Sequence, residues 1–433
     1  MKGLRSLGLI EKIYCGLLLV VFGGIVLHAP FSVFFGTIVP DYDLLIKAWK
    51  EILLVLAGVL LLFILAKEQK WALLKDKIIL LIGAYGLVHV FLIPFRYQGV
   101  EEVIAGLMID LRYVLFFALV YLAIKLYPRL FGPFIKIGVV GAAIVTVFGI
   151  LQFTVLPNDV LKHIGYDKTT IAPYLTIDQN PDYVRINSTL RGPNSVGAYA
   201  VIVLAFITAL LASKKLSRSP RAQILAAVIA NGGIVCLWAS YSRSAAIAAA
   251  IAIAIVILVR YRHKISRKVW IGAFVVAGAL IGGVLLARDT PFVTNVILHE
   301  NPVGGSAVSS NDGHAASLIE GFDRMVAQPL GGGIGSTGSA SLLGDNPIII
   351  ENQYFFIAHE VGWVGLAIFL AIFVVIVLRL WHGRRDWMTL AVLASGVGIA
   401  AMAVLLPIWA DDTVAIVWWG LAAAVLARKK DES

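Results

Sequence analysis

Apolar runs of roughly 17 to 25 residues, the length a helix needs to cross a bilayer, recur along the whole chain. They fall near 14–30, 45–66, 77–95, 111–127, 132–156, 192–213, 221–241, 244–260, 268–287, 352–379, 387–409 and 413–427. In hydrocarbon every backbone N–H and C=O must find its partner inside the segment, so runs of this length fold as helices. Only 14% of residues are charged, against about 25% in a soluble domain, so most of the surface must face lipid. The expectation is an all-α polytopic membrane protein of about 12 transmembrane helices, with residues 1–433 forming a single membrane domain.

The charges orient this parse. Alternate loops carry the basic clusters: Lys2, Arg5 and Lys12; Lys67, Lys70, Lys75 and Lys77; Lys125, Arg129 and Lys136; Lys214, Lys215, Arg218 and Arg221; Arg260, Arg262, Lys264, Arg267 and Lys268; Arg379, Arg384 and Arg385; Arg428, Lys429 and Lys430. That places 25 of the 36 Lys and Arg on one side, with only six of the 26 acids. The positive side is cytoplasmic, so both termini are expected inside. The net charge of +10 is topological; a nucleic-acid partner needs a clustered basic face, and none is expected. The N-terminal stretch shows no small-x-small cleavage site around Leu27 to Pro30, so it is expected to be a retained first helix rather than a signal peptide.

Two long polar segments, 157–190 and 288–350, fall on the opposite, extracytoplasmic side. Long loops in compact folds are usually functional or disordered. In the second, Ala315, Leu318, Ile319, Phe322, Met325 and Val326 recur at helical spacing. Asn311 or Asp312 can cap its start, and Pro329 ends it. The spacing predicts an amphipathic helix near 312–328, a periplasmic cap lying on the membrane with His314, Ser317, Gly321 and Arg324 on its polar stripe. Gly333 to Gly338 then spells G-x-G-x-x-G. No strand precedes it, which excludes a dinucleotide fingerprint. A hinge, or a cradle of backbone N–H groups for an anion, are the readings left open.

Three ionisable groups enter helices on this side: Arg191, Arg243 and Glu351. One interfacial arginine is explained by snorkelling; two with a carboxylate, from three separate helices, point to a cavity, because polar groups near membrane depth are costly. Glu360, with His359, follows about 13 Å beyond Glu351 by the helical rise, as a paired structural acid or a proton relay. Asp411 and Asp412 can neutralise an arginine, and Asp110 and Arg112 call for partners the sequence does not name. No cluster of metal ligands with recognisable spacing is present.

Four stretches carry a resemblance: R-G-P-N-S-V-G from Arg191 to Gly197, S-R-S-A from Ser242 to Ala245, the His314 helix running into P-L-G-G-G-I-G-S-T-G, and E-N-Q-Y…H-E-V-G-W-V-G-L from Glu351 to Leu366. With them the chain resembles the O-antigen ligase and Wzy-type polymerase superfamily of bacterial membrane glycosyltransferases. That resemblance implies a GT-C-like helical bundle in the bacterial inner membrane with its active site facing the periplasm. It implies transfer of a glycan from undecaprenyl diphosphate to an acceptor hydroxyl, a sugar or lipid A-core, with membrane lipid around it and no cofactor.

Arginine's planar fork binds phosphate oxygens bidentately and stays charged, so Arg191 and Arg243 are the expected diphosphate ligands. Asn194, Ser242 and Asn352 in the same motifs, and Arg324 on the helix stripe, complete the candidate substrate-binding residues. Glu351 is the first candidate base and His314 the second. O-antigen ligases carry a histidine where this chain has Glu351, and a glutamate there resembles polymerase and exopolysaccharide members, so polymerase is favoured over ligase. A polytopic transporter or lipid-linked glycan flippase is the alternative, although the chain shows no internal repeat with paired broken helices.

Overall fold

The computed structural model describes residues 7–263, 266–300 and 310–428. Part of the second polar segment, 301–309, and Lys2, Arg5, Lys264, Lys429 and Lys430 among the basic residues lie outside the described residues. Each expected apolar run overlaps a helix. α1 (Leu9–Gly24) and α2 (His28–Ile38) join through a 3-10 turn. α3 (Trp49–Glu68), α4 (Lys77–Leu92), α5 (Val100–Leu126) and α6 (Phe131–Thr154) follow. Then come α7 (Pro193–Ala212), α8 (Pro220–Ala239), α9 (Arg243–Tyr261), α10 (Arg267–Leu286), α11 (Ser310–Ala327), α12 (Gln353–His382), α13 (Trp387–Met402) and α14 (Asp412–Ala427).

The protein is thus an all-helical polytopic membrane protein. Among the described residues eight helical segments are long and apolar enough to cross a membrane, while α4, α13 and α14 are shorter. α14 is only about 24 Å long at 1.5 Å per residue. It stands inside the bundle with nearly every residue buried, packed by α5, α7, α12 and α13. Lipid offers no hydrophobic drive to join helices, so close packing of small residues does it. Ala245, Ala248, Ala249 and Ala252 of α9 are buried where it meets α7 and α13. Trp409, Trp418 and Trp419 fill the centre with ring centroids 5.2–5.9 Å apart.

Helix starts obey their caps. Asp76, Asp386 and Asp411 accept from the first-turn amides of α4, α13 and α14, and proline opens α7 and α8. The acids of the basic loops pair with their neighbours: Glu11 with Lys67, Asp76 with Arg379 and Asp386 with Arg428, each at 2.9 Å. These pairs gather loops from distant parts of the chain at one end of the bundle. The polar segments gather at the other.

Three expectations need correcting. The fourth run begins earlier, at Val100, because α5 accommodates Asp110 and Arg112 by burying them against partners. The eleventh ends at Met402, and the chain turns through Pro407 before α14. Segment 157–190 holds an antiparallel hairpin that an all-α reading omits: β1 (Leu175–Ile177) with β2 (Asn180–Arg185).

Candidate functional site

The polar end is assembled around a break in α12. Gly362 sits at φ 68°, a left-handed conformation that glycine tolerates. A Cβ there would lie 2.6 Å from the Pro329 carbonyl oxygen. The loop after α11 inserts into the break. Trp363 N–H donates to Pro329 O at 2.9 Å, and Gly332 N–H donates to His359 O at 2.5 Å. Backbone groups freed by the kink are thereby satisfied.

Glu360, buried two residues before the break, accepts from Gly335 N–H at 2.5 Å and Thr337 N–H at 2.9 Å. The N–H groups of the glycine-rich loop are therefore cradling the protein's own Glu360 carboxyl group. Gly335, at φ 83°, also lies tight against Gly106 of α5, whose added Cβ would fall 2.5 Å from Gly335 N.

α11 covers this end as the amphipathic pattern requires. Ile319, Phe322 and Val326 are exposed on its outer stripe, while Gly321 of the polar stripe lies against Phe355 and Ile350. Ser317 Oγ accepts from Glu351 N–H at 3.1 Å, and Trp363 Nε1–H donates to Met325 O at 2.8 Å. Those anchors bring His314 Nδ1 into hydrogen bond with Glu351 Oε2. Both candidate bases thus meet, from segments 37 residues apart, and both stay partly open to solvent, at 34% and 33% exposure. An ionised carboxylate only accepts, so beside an ionised Glu351 the donor is Nδ1–H and Nε2 is the ring's free acceptor.

Arg243 opens α9 and is held by Leu298 O at 3.0 Å, Ile297 O at 3.3 Å and Asn311 Oδ1 at 2.7 Å. Asn311 stands one turn before His314 on α11. Sequence reasoning missed a further arginine: Arg185, at the end of β2, donates to Ser240 O and to Asn194 Oδ1, both at 2.8 Å. Its signal was the short β-like run Tyr183-Val184-Arg185-Ile186, too brief to weigh without its partner strand. Burial pushes the Arg185 guanidinium down to about 10, with Asp178 opposing and Arg243 adding to the shift. His299, turned inward at φ 53°, is pushed down to about 4 by burial first, then by Arg243, Arg185 and His314. His299 therefore lies within the fields of Arg243, Arg185 and His314, and the two arginines within each other's. Asp178 supplies the local acid, its carboxyl raised by burial against the pull of Arg243 and Arg185.

The other expected residues divide. Arg191 is exposed and makes no hydrogen bond or ion pair among the described residues. Its charge acts on Asp411, which accepts from Ser195 Oγ at 2.5 Å. Asn194 is engaged by Arg185. Ser242 is buried beside Ser244 Oγ at 3.2 Å. Asn352 caps α12, accepting from Tyr354 and Phe355 N–H and donating to Val404 O. Arg324 forks onto Glu320 at 2.7 and 3.0 Å and lies ten residues along α11 from His314, about 15 Å away. It does not join the dyad.

The partners of the intramembrane charges are now visible. Asp412 pairs with Arg112, with His28 at 2.8 Å and with Lys50 at 3.3 Å, while Asp110 faces His89 at 3.4 Å. This network fixes the turn before α14, which carries Asp411. Among the described residues no group of three or more His, Cys, Asp or Glu is placed to hold a metal ion.

Residues 229–370 match the family model of the O-antigen ligase. The match runs from the middle of α8 into α12 and holds Ser242, Arg243, His314, Arg324, Glu351 and Asn352; Arg185, Arg191 and Asn194 precede it. The resemblance read from the motifs, to the O-antigen ligase and Wzy-type superfamily, is borne out. The match lends nothing to the transporter or flippase alternative. A comparison with curated proteins finds no match.

Proposed function

We propose, with the O-antigen ligase family match as the premise, that this protein transfers a glycan from undecaprenyl diphosphate to a sugar hydroxyl at the periplasmic face of the bacterial inner membrane. The carrying observation is the His314–Glu351 hydrogen bond beside the Arg185–Arg243 pair. It supplies a proton acceptor on the same helix that Arg243 holds through Asn311, the proton-accepting and cationic parts that glycosyl transfer from a diphosphate requires.

In the reaction the acceptor oxygen forms a bond to the anomeric carbon as that carbon's bond to the diphosphate oxygen breaks. The hydroxyl proton passes to His314 Nε2, whose imidazolium is stabilised by Glu351 through Nδ1–H. Glu351 is then the orienting group rather than the base, a reversal of the order the sequence suggests. The departing diphosphate needs charge, not a proton. Arg191, exposed and unengaged, and the free edges of Arg243 and Arg185 supply it. One guanidinium–phosphate pair at ~4 Å and an effective dielectric of ~20 contributes about 4 kcal/mol. A single displacement with one base inverts the anomeric centre, and arginines carry the leaving-group charge without a metal.

Glu351, where ligases carry histidine, favours polymerisation, with another glycan rather than lipid A-core as acceptor. The test is purified protein in proteoliposomes given undecaprenyl diphosphate-linked repeat units and no lipid A-core. A ladder of products supports the polymerase. Product only when lipid A-core is added makes it a ligase. No glycosidic bond under either condition overturns the reading, as does full activity in Arg191→Ala and Arg243→Ala.

A further inference from the structure

A polar cavity of about 280 Å³ lies at the end of α11 away from the dyad. Its walls are the glycine-rich loop, the break in α12, Gln98 before α5 and the turn around Asn346. His359 lines it at 2% exposure, and neither ring nitrogen has a partner among the described residues. Ser336 Oγ, 8% exposed, and Gln328 Oε1 likewise lack partners and line the same space. A buried polar group without a hydrogen bond costs about 1–3 kcal/mol, so native chains hold such groups where they are used.

The cavity is separate from the reacting dyad. Gln328 follows His314 by 14 residues, about 21 Å along the helix, and between them Gly321 is sealed against Phe355 and Ile350. Both lie at the polar stripe of α11, on opposite sides of the Gly321 contact.

The lining selects a ligand class. Carboxylates of Glu102 and Asp345 border the space, and the guanidinium on its wall, Arg324, is already forked onto Glu320, which disfavours an anion. Imidazole, hydroxyl and amide groups offer donors and acceptors of neutral character, the complement of sugar hydroxyls. The volume is near the lower end of the ~300–1,000 Å³ of small-molecule sites and suits a single sugar unit. We propose that this cavity is a glycan subsite remote from the reacting bond, in which His359, Ser336 and Gln328 hydrogen-bond an uncharged sugar of the polymer. The proposal rests on the glycosyltransferase reading above. By holding the chain away from the dyad it strengthens binding of long glycans over short ones.

The test uses the full chain in nanodiscs. Saturation-transfer NMR with glucose, galactose, rhamnose and N-acetylglucosamine reads binding directly, with inorganic phosphate as a competing probe. Asn346→Trp, an exposed rim position that fills the cavity without disturbing the core, and Ser336→Ala should each weaken sugar binding about tenfold, the loss of roughly 1.4 kcal/mol. In transfer assays Asn346→Trp should raise KM for an acceptor of several repeat units about tenfold and leave kcat unchanged. Glu351→Gln should slow transfer by roughly 10- to 40-fold yet bind sugar as before, so failure of the transfer reading leaves this arm intact. Absence of saturation transfer from all four sugars, displacement by phosphate, or binding untouched by both variants overturns the subsite.

Discussion

Replacing Glu351 with Gln removes the carboxylate that accepts from His314 Nδ1 and keeps the side chain's size. A hydrogen bond to a charged group contributes about 1.5–3 kcal/mol. With these side chains 34% and 33% exposed, solvent screening puts the bond in the lower half of that range. At about 1.36 kcal/mol per factor of ten, Glu351→Gln should slow the chemical step by roughly 10- to 40-fold. His314→Ala removes the proposed base, whose class of catalysis supplies about 10²–10⁴, and should fall further. The double variant should be no slower than His314→Ala, since nothing remains for the carboxylate to orient. Single-turnover transfer from a labelled undecaprenyl diphosphate-linked repeat unit in proteoliposomes reads the step, with donor binding measured separately. Losses that multiply would mean the residues act independently. A Glu351→Gln loss equal to or above that of His314→Ala would make the carboxylate the base and refute the assigned order.

Arg185→Ala removes a cation that, ~5 Å from a phosphate at an effective dielectric of ~20, contributes about 3 kcal/mol; donor binding should weaken about 10²-fold. Arg185→Lys should recover only part, because an ammonium cannot reach Ser240 O and Asn194 Oδ1 in the same fork; donor affinity unchanged in both variants would remove Arg185 from the site. His299 stays neutral in the fold to about 4, whereas an unfolded histidine charges near ~6.5. Between those values only the unfolded chain takes the proton, so stability falls as pH drops through that window. His299→Gln should flatten this dependence in thermal unfolding scans, and an unaltered slope would show that the shift belongs elsewhere. Glu360→Gln places an amide NH2 against the Gly335 and Thr337 donors and should destabilise the loop by about 2–3 kcal/mol. Hydrogen exchange at those two amides should rise; unchanged protection would mean the cradle does not depend on the carboxylate.

What the sequence made legible was what repeats. Twelve apolar runs and alternating basic loops are redundant signals, each visible without any other. The amphipathic α11 was equally readable, because its period needs no tertiary partner. Its N-terminal boundary moved only from 312 to Ser310. The site was legible in residue types but not in roles. Glu351 and His314 were chosen separately, while their bond depends on Gly321 packing against Phe355 and on Ser317 meeting the Glu351 amide. Arg185 stayed hidden because a hairpin with a three-residue strand has almost no periodicity. Arg112 and Asp110 were recognisable as needing partners, but Asp412 and His89 are far away in the chain and met only through packing.

The arrangement of committed and uncommitted groups explains why so much of the polar end serves to hold rather than to react. Asn352 has its oxygen on two amides and its nitrogen on Val404 O, and Glu360 has both oxygens on the glycine-rich loop. Groups so occupied position their neighbours. Each fixes one end of the dyad: Asn352 starts the helix directly after Glu351, and Glu360 pins the loop into which α11 runs. α11 is tied at its first turn through Asn311 and at its last through Met325. His314 therefore stands on a helix clamped at both ends, and Glu351 at the capped start of another. General-base chemistry tolerates little misplacement, since positioning alone is worth orders of magnitude in rate. His314 Nε2 and the exposed Arg191 guanidinium are among the described groups left uncommitted at this end, and the proposed transfer uses them for the proton and for the diphosphate.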